Sequence, residues 1–190
     1  MKINLKKICA AGVLLAFAII LPQIFHLSGV AQSGKVFLPM HIPVLITGFV
    51  AGKYCGMAVG ALSPLFSFLL TGMPTSALLP FMMIELCAYG FAAGFIYHNT
   101  PLGRIKGSIY YALIGAMLTG KLVYALSLAT AASVFGIPCG GAIAAVNATI
   151  AGTAGIIIQI VLIPLLIFAL EKSGIIRSIN GEERSEREAR

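Results

Sequence analysis

The stretch IGAMLTGKLVYALSLAT, residues 114–130, places a lysine in the middle of an apolar run. Lys121 is the only charged residue between Lys106 and Glu171. A lysine in water needs no explanation, whereas a lysine in lipid does. The surrounding composition decides which it is. The chain of 190 residues is 59% hydrophobic and 10% charged, against about 25% charged in a soluble domain. A run this long with one charge reads as membrane-embedded, and the chain as a polytopic membrane protein.

A bilayer core about 30 Å thick needs about 20 apolar residues per helix. Six segments qualify: 8–25, 40–53, 55–71, 76–97, 107–131 and 142–170. The sequence therefore predicts an all-α membrane protein with six transmembrane helices in residues 1–172. The second and third segments nearly fuse at GKYCG (52–56), which reads as a tight turn. Residues 173–190 are charged, lack a sustained apolar face and read as a soluble tail. Lys2, Lys6 and Lys7 before an apolar run, with small residues at Ser28–Ala31, also fit a cleavable signal peptide. Five further spans favour an uncleaved first helix.

Orientation follows from the cations. With both termini cytoplasmic, every Lys and Arg except Lys35 and Lys121 falls in an inner segment, as the positive-inside rule requires. The net charge of +7 is thus a matter of topology, and no nucleic-acid partner is expected. Cys9, Cys55, Cys87 and Cys139 are isolated and read as small buried hydrophobes. No metal or cofactor site is expected. Catalysis lacks parts as well: there is no HExxH, GxSxG or Walker loop, and no Asp.

Small residues recur at four-residue spacing. Gly48, Gly52, Gly56 and Gly60 do so through the second and third segments, and Gly12/Ala16, Gly90/Gly94, Ala112/Ala116/Gly120 and Ala144/Ala148/Gly152 elsewhere. In lipid, such stripes let helix backbones approach closely. They serve packing within one bundle, or, on Gly12 and Ala16 above all, docking of a partner subunit. Pro22, Pro64 and Pro164 fall inside segments and are expected to kink them.

Charged residues inside a membrane are costly and mark function by default. Besides Lys121 there is Glu85. At about 1.5 Å per residue, Glu85 lies roughly 14 Å, and Lys121 roughly 15 Å, below the outer surface. Consecutive antiparallel helices put them at one depth, where they can pair. Such a pair either fixes helix register alone or forms a binding site in which Lys121 meets an anionic or polar ligand. Tyr89 and Tyr124 lie one helical turn from Glu85 and Lys121 on the same faces. Asn147 approaches in the outer half of the sixth segment. A cavity with aromatic walls and few polar anchors is how small-molecule sites are built. His41 is placed at the outer mouth or the interface. Gln159 is expected near the cytoplasmic end as an interhelical hydrogen bond, and His26 and His98 at the interfaces.

FLPMHIPVLITGFVAGKYCGMAVGALSPLFSFLLTGMP (37–74) and AGTAGIIIQIVLIPLLIFALEK (151–172) resemble the substrate-binding S components of energy-coupling-factor (ECF) vitamin transporters, and the resemblance spans residues 5–172. It implies a non-enzymatic protein of the prokaryotic plasma membrane that binds one vitamin-like micronutrient from outside. It implies as partners a transmembrane coupling subunit and two cytoplasmic ATPases. It also implies that the loop after the first helix caps the site and that the outer halves of helices four to six supply ligand contacts. The family's Ala-x-x-x-Ala coupling face corresponds here to Gly12-x-x-x-Ala16. A self-sufficient secondary carrier or channel, or a small membrane-embedded enzyme, are the alternatives. No internal repeat between 1–95 and 96–170 supports a secondary carrier.

Overall fold

In lipid a backbone N–H or C=O has no partner but the chain itself, so an apolar chain either coils into helices or closes into a barrel. This chain makes helices. The computed structural model describes residues 5–27, 36–101, 107–134 and 141–180, and among these there is no strand. In order they form α1 (Leu5–Leu27), α2 (His41–Ala51), α3 (Lys53–Thr71), α4 (Leu79–Asn99), α5 (Ser108–Val134), α6 (Gly141–Ala151), α7 (Thr153–Lys172) and α8 (Ile175–Asn180). Helices α1, α3, α4, α5 and α7 are long and apolar enough to cross a membrane, and α2 is a shorter apolar helix. Pro22, Pro64 and Pro164 each lie inside a continuous helix. The capping loop expected after α1, with Lys35, falls in 28–35, outside the described residues. So do Cys139 and the tail beyond residue 180.

Two segments differ from the sequence expectation. The second is a helix of 11 residues, about 16 Å long, or roughly half a bilayer core. Every residue of α2 except Ile42 is buried, so its apolar surface meets protein all round. Val44, Leu45 and Phe49 are fully enclosed and make α2 the centre of the bundle. The sixth segment is broken at Gly152 into α6 and α7. A side chain at Gly152 would stand 2.8 Å from the Leu38 side chain, and one at Gly155 2.6 Å from the Phe37 carbonyl oxygen. The chain leading into α2 therefore lies against the start of α7. Gln159, in the second turn of α7, donates from Nε2 to the Leu38 oxygen at 3.5 Å. It sits at that end of the bundle and not at the cytoplasmic one.

Glycine spacing explains the tightest contact. A Cβ on Gly56 would lie 2.4 Å from the Gly90 carbonyl oxygen, and one on Gly60 2.2 Å from that of Leu86. A Cβ on Gly94 would meet the Lys53 nitrogen at 2.3 Å. Helices α3 and α4 touch backbone to backbone along this seam, and dispersion between them supplies what lipid removes from the hydrophobic effect. Gly48 approaches Gly90 and Ala93 from α2, so three helices share one seam. At Gly52 the chain turns from α2 into α3 with φ +92, a conformation that favours glycine.

The far end of the bundle is fastened by polar contacts. Lys6 Nζ donates to the carbonyl oxygen and hydroxyl of Ser178 at 3.2 and 3.0 Å. The Tyr97 hydroxyl donates to Glu171, and His98 Nε2 lies 2.7 Å from the Phe49 oxygen. Residues 175–180, expected in the tail, form α8 and bury Ile176. Cys9, expected to be buried, is exposed, while Cys55 and Cys87 are half-buried free thiols. His26 lies in the last turn of α1.

Candidate functional site

The α3–α4 seam fixes α4, and with it Glu85 and Tyr89, one helical turn apart. Against them stands α5, where Gly120 makes the contact possible. A Cβ on Gly120 would lie 2.5 Å from Tyr89 Cδ2, so only glycine admits the ring there. The next residue is Lys121. Its Nζ donates to Glu85 Oε1 at 2.7 Å, a charge-assisted hydrogen bond of ordinary length. The two charges placed at one depth by the sequence do meet.

Aromatic faces close around the ammonium. Lys121 Nζ is 6.0 Å from the Tyr89 ring centroid and 5.8 Å from that of Tyr124, within cation–π range. Tyr89 and Tyr124 are both buried. His41, in the first turn of α2, lies inside this cluster and not at an open mouth. Its ring meets Tyr89 edge-on at 5.0 Å and 82°, and its Nε2 is 3.8 Å from Glu85 Oε1.

The pair is not equally enclosed. The Glu85 side chain is 5% exposed and that of Lys121 17%. Lys121 reaches a groove of about 200 Å³ between α5 and α6, lined otherwise by Ala125, Ala145, Val146, Thr149 and Ile150. An ammonium carries three donors. One is held by Glu85, so Lys121 can present the others to a solute in the groove. The walls are apolar apart from Thr149, whose hydroxyl already donates to the Ala145 oxygen.

Asn147 is not brought to this place. It is exposed and does not line the groove. Residues 145, 146, 149 and 150 form one face of α6, and at about 100° per residue position 147 points away from it. Gly120 and Thr149 were not singled out for the site. Gly120 was visible only as one member of a small-residue stripe. Among the described residues no cluster of three or more His, Cys, Asp or Glu side chains could hold a metal ion.

The family "ECF transporter, substrate-specific component" has a sequence model that matches residues 6–176. No curated protein and no solved structure matches the chain. The match runs from the first turn of α1 into α8 and covers every residue of the Lys121 cluster. A multi-pass protein of the cell membrane, this chain belongs to the family of substrate-specific components of ECF transporters.

Proposed function

We propose that the chain captures a small water-soluble micronutrient of the vitamin class from outside and passes it inward, with Lys121 anchoring an acidic or carbonyl group of the solute. Glu85, Tyr89, Tyr124 and His41 form the wall that holds the lysine. The observation that carries this reading is the asymmetry of the ion pair. A pair that only fixes helix register has no need of an open side, and burying it is offset only where further hydrogen bonds satisfy both partners, whereas here Lys121 reaches the groove while Glu85 is enclosed.

Transport in this reading is driven by ATP hydrolysis on two cytoplasmic ATPases, joined to the chain through a transmembrane coupling subunit. Docking uses α1. Gly12 and Ala16 are exposed, nothing lies within 4 Å of a Cβ built on Gly12, and Val13, Phe17, Ile20 and Ile24 project beside them. The solute that co-purifies with the protein, identified by mass spectrometry, supplies the ligand. Co-expression with the coupling subunit and ATPases should then give ATP-dependent accumulation of it. Uptake that follows an ion gradient without the ATPases refutes the proposal.

A further inference from the structure

The groove at Lys121 is as informative for what it lacks as for the ammonium it holds. Lys121 is the middle residue of the 27 in α5, so either end of the helix is about 20 Å away. Its neighbours Leu118 and Leu122 are exposed, as are Val146 and Ile150 on the α6 wall of the groove. A groove at that depth with an exposed apolar rim opens on the flank of the bundle, among lipid chains. No water stands there to hydrate a polar group.

Among the described residues no second donor replaces that water. Ala125, Ala145, Val146 and Ile150 offer only hydrocarbon, and the Thr149 hydroxyl gives its proton to the Ala145 oxygen at 2.9 Å. The hydroxyls of α5 on either side are turned back onto their own helix in the same way. Thr119 donates to the Gly115 oxygen at 2.7 Å and Ser127 to that of Tyr124 at 2.8 Å. The groove is small as well. Its volume of about 200 Å³ falls below the ~300–1,000 Å³ of pockets that enclose a drug-sized ligand. At about 30 Å³ for a water-sized group it takes roughly seven heavy atoms.

We infer that the solute is single-headed: one carboxylate or carbonyl at Lys121, and a short hydrocarbon body with no further hydrogen-bonding group. This rests on the reading of Lys121 as ligand anchor and adds the chemistry of the rest of the ligand. A sugar, a nucleoside or a polycarboxylate would bring acceptors into the groove with no donor opposite them. Each acceptor so buried weakens binding about fivefold or more. Each methylene laid against the apolar walls tightens it about fourfold.

Short acids test this on the full-length wild-type protein in nanodiscs, with threonine methyl groups labelled with ¹³C. The Thr149 signal, identified by its loss in Thr149→Val or Thr149→Ser, reports occupation of the groove itself and not partition into lipid. Titration should give a Kd that falls about fourfold per carbon from propanoate to hexanoate. Adipate, with a second carboxylate on the same chain, and 5-oxohexanoate, with a ketone in the body, should bind at least about fivefold more weakly than hexanoate. Hexylamine, the same chain with a cationic head, should leave the signal unmoved. Adipate or 5-oxohexanoate binding as tightly as hexanoate overturns the inference, as does propanoate matching hexanoate or no acid moving the signal. Preference for adipate over both hexanoate and hexylamine would remove the hydrocarbon body and leave the anchoring role of Lys121 standing. Hexylamine binding as tightly as hexanoate would remove the anchoring role itself, and the inference with it.

Discussion

Gly56→Ala tests whether the backbone seam between α3 and α4 holds the site in place. The new Cβ would begin 2.4 Å from the Gly90 oxygen, 2.8 Å from its carbonyl carbon and 2.9 Å from Gly48 Cα. All three are backbone atoms, so no side chain can rotate away. Reaching an ordinary contact of 3.4 Å from the present 2.4 Å would require the helices to part by about 1 Å, and the parting would spread along a seam packed by dispersion. Overpacking of this kind costs about 3 kcal/mol at the upper end of its usual range. Alanine returns about 1 kcal/mol over glycine through helix propensity. The net loss is about 2 kcal/mol, or roughly 4–8 °C in Tm for a chain of this size. Thermal unfolding in one fixed detergent or nanodisc measures it. Gly12→Ala is the control, since nothing lies within 4 Å of its Cβ, and it should be neutral or slightly stabilising. A Gly56→Ala protein as stable as that control would refute the seam as the element that positions Glu85.

Gly12→Leu or Ala16→Leu should leave ligand affinity unchanged and abolish ATP-driven uptake, because bulk on an exposed small-residue face blocks close approach of a partner helix. Normal uptake by both variants would move the docking face elsewhere. Lys121→Ala alone should destabilise the protein by roughly 3–5 kcal/mol, the cost of leaving one member of a buried pair uncompensated. Unchanged thermal unfolding would mean that Glu85 is better hydrated than its 5% exposure implies.

The long helices were legible because membrane crossing leaves a signature of length and missing charge, as the ends of α1, α3, α4 and α5 show. The Gly56–Gly60 and Gly90–Gly94 stripes were legible too, since close approach demands small residues at helical spacing. Depth along antiparallel helices was enough to bring Glu85 and Lys121 together. The burial of α2 was not legible, because a helix facing lipid and one facing protein are equally apolar. Gly152 gave no sign that it would break the last segment. That break sets where α7 begins, so it misplaced Gln159. Asn147 was placed by depth alone, and its rotation about the axis of α6 turns it away from the groove. His41 lies far from Glu85 in sequence, and only the packing of α2 against α4 reveals their meeting.

The most direct measurement is the affinity of the co-purified solute for Lys121→Met/Glu85→Gln. The double variant removes both charges at similar volume, so the uncompensated charge that confounds either single change does not arise. It should fold with a Tm close to that of the wild type. If Lys121 anchors the ligand, binding should weaken by at least about 2 kcal/mol, or roughly 30-fold in Kd. Wild-type affinity in the folded double variant would contradict the account and leave Lys121 and Glu85 as a pair that only sets the register of α4 against α5.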